Sequence, residues 1–381
     1  MRTPQWVAVL GLTVLIGCAS PSVREPLHLS VVSQRTILEV EEPDFRPEAF
    51  EMSLSPDGRH LLFTKIAETG TKSAEEPLFQ REPYLLDTAS GEVTKLPFDP
   101  LPGNISLTAW MTRTFTSDGR YIHAWQAERQ TVLYDIANRT ERVIEEPDCR
   151  NIISDESASD LYVTSSASRL SLWGGWSDND FRVAIIPIKG GKTERFPLTG
   201  ILQLATNRNR VVVYSRTREG AAYSVQDLPN KRTLFSFPVH PTEDLEAIFY
   251  VFWTLDGRYL CFPDKGWIDR DSTGQATDTG DVMRVWDSVT NETHTFGNCV
   301  GIAPGPGPHL ALALDSAAFR DLAVIVVDIR NGWRWPVPVT HRHRFICASG
   351  KYVVYRRYVR ETPDKTKMQI ILVELGVATE P

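Results

Sequence analysis

The residues of this chain that could do chemistry are few and scattered. His341-Arg342-His343-Arg344 places two imidazoles at alternate positions, and alternation along a strand turns both to one side. That is the pattern of a small metal site or, counting the arginines, of a basic rim. Asp269-Arg270-Asp271-Ser272-Thr273-Gly274 has the spacing that opens a calcium loop, but Gly280 stands where the bidentate glutamate belongs. Asp269, Asp271 and Thr273 are therefore an incomplete calcium candidate or part of a solvated polar loop. Trp173-Gly174-Gly175-Trp176-Ser177-Asp178 offers two indoles for a sugar ring or a partner's apolar side chain, or else two rings that fold onto sheet edges. Trp267 stands in a comparable stretch, and no Cys-x-x-Cys or glycine-rich phosphate loop accompanies any of these.

The elements that must position these residues come from a repeat. Ser55-Pro56-Asp57-Gly58-Arg59-His60-Leu61 is echoed by Thr116-Ser117-Asp118-Gly119-Arg120-Tyr121-Ile122 and by Thr254-Leu255-Asp256-Gly257-Arg258-Tyr259-Leu260. Looser copies lie at Thr206–Val212 and Ser349–Tyr355. A second motif follows each: Asp87-Thr88-Ala89-Ser90-Gly91, Asp135-Ile136-Ala137-Asn138, Asp287-Ser288-Val289-Thr290-Asn291 and Asp328-Ile329-Arg330-Asn331-Gly332. Asp-Gly closes a tight turn because glycine accepts positive φ and aspartate caps nearby amides, and the apolar residues that follow suit a strand between sheets. Two hairpins per repeat, at a period of about 49 residues, predict four-stranded blades around an axis. The aspartates then read as turn caps.

Taken together, the motifs are similar to the WD-type repeats of TolB-like propellers over roughly residues 50–375. That resemblance implies an all-β fold, a seven-bladed β-propeller with six or eight blades as alternatives. Blades are expected to begin near residues 50, 107, 150, 200, 247, 298 and 345. The last lacks a fourth strand, which residues 28–40 are placed to supply, closing the ring and covering its edge. Long connections at 65–83, 165–181, 262–281, 314–321 and 356–368, with 338–345 as a link, fall on the face opposite the Asp-Gly turns. Gly175-Trp176-Ser177 resembles half of the nucleophile motif of prolyl-oligopeptidase-type hydrolases, but Asp178-Asn179 replaces the remainder and no strand–helix elbow surrounds it.

The amino terminus sets the location. Arg2 precedes an apolar stretch from Val7 to Ile16, and Leu15-Ile16-Gly17-Cys18 resembles a bacterial lipobox. The resemblance implies residues 1–17 as a lipoprotein signal peptide, acylation of Cys18, a tether over 18–30 and a single propeller domain over 31–381. Ala19 in place of aspartate favours the outer membrane of a Gram-negative cell, with the body in the periplasm. The longest later apolar run, Leu322–Val327, is too short to span a bilayer.

A net charge of −7 argues against nucleic acid as the partner. The charge is uneven: residues 331–368 carry a net +7. That region either orients the body on anionic lipid or steers an acidic partner, or it is neutralised by Glu41, Glu42, Asp44, Glu48 and Glu51. Of Cys149, Cys261, Cys299 and Cys347, the last two are expected to open neighbouring inner strands and form a disulfide, with Cys261 as a buried thiol. The sequence reading is a scaffold or protein-binding module with no cofactor. Its partners are the membrane through the lipid anchor and an envelope protein. The alternative is a carbohydrate- or peptidoglycan-directed propeller, possessing or lacking catalysis, that uses the tryptophan and histidine loops.

Overall fold

A computed structural model of the chain describes residues 28–41, 52–68, 79–98, 101–102, 113–125, 131–144, 149–154, 160–166, 181–198, 201–207, 210–217, 220–230, 232–239, 251–264, 282–315, 323–338, 343–362 and 365–378. These form seven antiparallel sheets, the blades of a propeller. Blade one holds β2 (Ser53–Leu54), β3 (His60–Glu68), β4 (Phe79–Asp87) and β5 (Val93–Lys95), with β6 (Leu101–Pro102) also pairing β4. Blade two holds β7 (Arg113–Phe115), β8 (Tyr121–Trp125), β9 (Thr131–Asp135) and β10 (Thr140–Ile144). Blades three and four run from β11 (Cys149–Ser154) to β14 (Glu194–Leu198) and from β15 (Ile201–Asn207) to β18 (Arg232–Val239). Blade five holds β19 (Phe252–Trp253), β20 (Tyr259–Pro263), β21 (Val282–Asp287) and β22 (Thr293–Gly297). Blade six runs from β23 (Cys299–Pro304) through β24 (Leu310–Asp315) and β25 (Val324–Asp328) to β26 (Arg334–Pro336).

The seventh blade is assembled from both ends of the chain. β27 (His343–Ser349), β28 (Tyr352–Thr362) and β29 (Lys365–Ala378) come from the carboxyl-terminal side, and β1 (His28–Glu41) lies antiparallel on the outer edge of β29. The expected closing strand is thus present. It starts at His28, as expected, where it pairs with Ala378, and runs one residue past the expected end, to Glu41. First strands sit side by side around the ring: β2 lies beside both β27 and β7, and β23 beside both β19 and β27.

The core lies between blades, because each sheet must cover both of its faces. At the closing seam Ile37 of β1 joins Leu54, Leu61, Phe63 and Leu86 of blade one and Val354, Met368 and Ile370 of blade seven. Between blades five and six, Cys261, Met283 and Val285 meet Ala311, Ala313 and Val327.

Two expectations change. Both described ends of the connection expected at 65–83 are strand, with Lys65 pairing Glu82 and Glu68 pairing Phe79, and the one expected at 356–368 is largely strand, with β28 pairing β29 as far as Thr362 opposite Lys365. Alternating bulky residues in Tyr-Val-Val-Tyr-Arg-Arg-Tyr-Val-Arg, backed by β1 as a third strand, extend that hairpin. The expected disulfide is not formed either, and Cys299 and Cys347 remain thiols. Cys299 packs in the cluster between blades five and six, whereas Cys347 packs against the cluster between blades seven and one. Neighbouring inner strands bring the residues to adjacent blades but turn them to different seams. Cys261 is a buried thiol, as expected.

Candidate functional site

Asp57, Asp118 and Asp256 form one local device three times. The hydroxyl of Ser55, Thr116 or Thr254 donates to Oδ1 of the aspartate two residues on, at 2.6 Å in each case. The same hydroxyl accepts the amide of His60, Tyr121 or Tyr259 at 2.8, 3.0 and 3.1 Å. The arginine after the glycine reaches the second turn, where Arg120 Nη2 lies 3.0 Å from Asp135 and Arg258 Nη2 lies 2.5 Å from Asp287. Those aspartates cap their own turns: Asp135 accepts Ala137 and Asn138, and Asp287 accepts Val289. Burial alone would raise the Asp287 carboxyl. The Arg258 guanidinium and the amides of Val289 and Thr290 outweigh it and bring the value down to about 2. Asp-Gly is therefore scaffold.

This face also carries two grooves. One of about 400 Å³ lies between blades one and two and is lined by Asp57, Arg59, His60, Arg120, Tyr134 and Arg139. A second of about 480 Å³ lies between blades five and six, over Arg258, Tyr259, His294 and Arg330. His309 Nδ1, 2.7 Å from Asp256 Oδ2, ties blade six to blade five there. Burial and Arg330 hold its pKa below the usual value despite that carboxylate. His123 is buried in blade two and pushed down to about 3, so it is neutral across the physiological range.

On the opposite face a second arrangement stands at the seam of blades seven and one. Arg356, Tyr358 and Arg360 occupy alternate positions of β28 and share its blade-one side, because their partners Ile370 and Met368 belong to the closing-seam core. Tyr358 is 39% exposed, and the Arg356 guanidinium carbon lies 5.9 Å from its ring centre. Across the seam, Lys65 Nζ stands 4.5 Å from the centre of the Tyr84 ring. Tyr84 donates to Glu82 at 2.9 Å, and Lys95 donates to the other carboxylate oxygen at 2.5 Å. Lys95 and then Tyr84 hold the Glu82 carboxyl below the usual range. Sequence reading counted Arg356 and Arg360 among the basic residues but missed Tyr358, Tyr84 and Lys65. The available signal was the Arg-x-Tyr-x-Arg alternation.

Of the residues singled out from sequence, Cys18, Trp173, Trp176, Trp267, Asp269, Asp271, Thr273, His341 and Arg342 lie outside the described residues. His343 and Arg344 open β27, opposite Arg357 and Arg356 in register, so both belong to a basic strand pair. No cluster of three metal-ligating side chains occurs among the described residues.

No protein-family model and no curated protein matches the sequence. Solved structures match its fold. The oligogalacturonate lyase of Vibrio parahaemolyticus aligns with a TM-score of 0.53 and 13% identity over 91% of this chain and 96% of that one. The acylaminoacyl peptidase of Pyrococcus horikoshii gives 0.56 and 10% over 87% of this chain; this chain spans about half (52%) of that protein. The propeller domain of the Trilobed protease from Pyrococcus furiosus, described as having an open velcro topology, gives 0.53 and 10% over 87% and 97%. At such identities the likeness establishes one thing, that this chain is a seven-bladed β-propeller.

Proposed function

We propose that the chain is a lipid-anchored propeller of the bacterial cell envelope, held at the outer membrane through Cys18, whose body in the periplasm binds another envelope protein. The observation that carries the binding role is the seam of blades seven and one, where two tyrosines stand among Lys65, Lys95, Arg356 and Arg360. Aromatic and arginine side chains at a rim between elements are what protein interfaces favour. The anchor rests on Leu15-Ile16-Gly17-Cys18. Labelled palmitate should enter the protein and vanish in Cys18→Ser, with release from the membrane fraction. Cross-linking in intact cells should then trap a defined protein partner. A protein that stays unlabelled, or cross-links to nothing, overturns the reading.

A second reading is a glycan-directed propeller using Trp173, Trp176, Trp267, His341 and His343. It is favoured by the fold likeness to oligogalacturonate lyase, one structure of which is in complex with manganese at 14% identity. Retention on sacculi or acidic oligosaccharides, lost in Trp173→Ala and Trp176→Ala, would support it over the first.

A further inference from the structure

We propose that the outer edge of β1 receives an extended segment of the partner protein as an added strand, held by main-chain hydrogen bonds. This rests on the binding role just given and specifies how the partner is held. β1 stands at the end of its sheet, and among the described residues its strand partner is β29 alone. The main-chain groups that point away from β29 form an open row, which is the feature that strand addition uses.

The other six blades guard the same position. Their outer strands are short: three residues in β5 and β26, five in β10, β14 and β22, and eight in β18. Five of the six also carry a charge or a proline, at Lys95, at Glu141 and Arg142, at Pro197, at Pro238 and at Pro336. β1 is 14 residues long. Its stretch Leu29-Ser30-Val31-Val32-Ser33-Gln34 has neither charge nor proline. The bulge between Val31 and Ser33 turns an isopropyl group outward, with Val32 61% exposed.

Both ends of this edge offer an added strand something to pack on. β28 stops at Tyr352, opposite Glu374, and beyond that point His28–Val31 and Leu375–Ala378 continue as a two-stranded ribbon. A ribbon of two strands is completed by a third. Leu29 and Val31 lie half-buried with Leu375 and Val377 against blade six, so one row of the new side chains extends an apolar surface. On the other side stand Ser30 and Gly376. The segment that fits alternates β-branched with small polar residues. Towards the seam, Val40, Met368 and Tyr358 stand opposite one another on three adjacent strands, and a further strand continues that row.

A second copy of this chain is the rival occupant. A two-fold dimer pairs such edges antiparallel. β1 is about 43 Å long at about 3.3 Å per residue. The ten steps from Cys18 to His28 reach at most about 36 Å. An antiparallel pair standing on the membrane would hold one of its two His28 residues beyond that reach, which leaves the edge to a different protein.

The test is fluorescence anisotropy of a labelled ten-residue peptide alternating valine and threonine, added to the detergent-solubilised full chain. Saturable binding is expected, with amide exchange slowed at Leu29–Gln34. Val32→Lys puts a charge on the open edge without entering either seam core, and should weaken binding at least tenfold. Val143→Lys, the same change on the outer strand of blade two at a valine 48% exposed, should alter it less than twofold. The same peptide N-methylated throughout should not bind. Equal losses in the two variants, or exchange slowed outside β1, would overturn the proposal, as would absence of binding. So would dimerisation lost in Val32→Lys in place of peptide binding, since the edge would then belong to a second copy. A partner cross-linked in cells without peptide binding removes the edge and leaves the binding role. Peptide binding by a chain that cross-links to nothing removes the role instead.

Discussion

Blades five and seven solve one problem, closing the inner hairpin of a sheet, by different means. Blade five does so within its own repeat: Thr254, Asp256, Arg258 and Asp287 bind one another across two adjacent turns. Blade seven has Ser349-Gly350-Lys351 at the equivalent turn and no aspartate. Its fixation comes from outside. The Tyr352 ring fills the space beside Gly58 of blade one, and Arg35 of β1 donates to both the carbonyl and the hydroxyl of Thr88. Thr88 in turn donates to the Gly58 carbonyl at 2.8 Å. A blade in mid-chain can be stabilised locally, whereas the blade that closes the ring draws on contacts between distant parts of the chain. The difference can be broken experimentally, most severely first.

Removing residues 28–41 should have the largest effect. β29 would lose its outer partner along its whole length, and the seam would lose Ile37 with the half-buried Leu38 and Val40. At about 25 cal/mol per Å² for these side chains, together with the exposed sheet edge, several kcal/mol go. For a chain of this size that lowers the melting temperature by about 5 °C, read by circular dichroism. A melting temperature unchanged by the deletion would make β1 a tail and void the contrast between the blades.

Gly58→Ala comes next, and Gly91→Ala is its control. Both residues have positive φ, +69° and +76°, so both substitutions carry backbone strain of about 1 kcal/mol. Only at Gly58 would the new methyl meet a neighbour, 2.7 Å from the Tyr352 ring, whereas Gly91 faces open space. Gly58→Ala should cost about 2 kcal/mol more than Gly91→Ala in urea unfolding. Adding Tyr352→Ala should remove most of that excess. Equal costs at the two glycines would show that blade seven does not press on blade one.

What was legible follows the same division. The Asp57, Asp118 and Asp256 turns could be read because every partner of the motif lies within a few residues or at the next turn. Blade six was faint because Gly305 and Gly307 shape its turn without any aspartate, through Gly305 N–H to the Leu310 carbonyl at 2.8 Å. The closing strand could be inferred from a missing fourth strand, but the extension of β28 and β29 could not. Arginine-rich sequence reads as loop until a third strand is found to back it. The Cys299–Cys347 expectation failed since proximity of strands does not say which seam a side chain enters. Tyr84 and Tyr358 belong to blades from opposite ends of the chain that share the closing seam, which no local pattern records.

Asp287→Asn tests the local half of the comparison. The carboxylate is almost fully enclosed with Arg258, so losing its charge should cost about 2 kcal/mol at neutral pH. The folded value of about 2 lies below the ordinary carboxylate value. The contribution is therefore complete above about pH 4 and is lost as pH falls from there through about 2. Acid unfolding of Asp287→Asn should be flatter across that window than that of the parent chain. Lys351→Ala is the smallest expected effect. Lys351 Nζ lies 2.6 Å from Glu374, but its side chain is 48% exposed, and an ion pair so open to water contributes less than about 0.5 kcal/mol. The short distance is no guide to its worth, because the solvent that screens Lys351 is excluded from Asp287. A loss at Lys351 equal to that at Asp287 would mean that blade seven keeps a local clamp of its own, and the two blades would then differ in residue type but not in strategy.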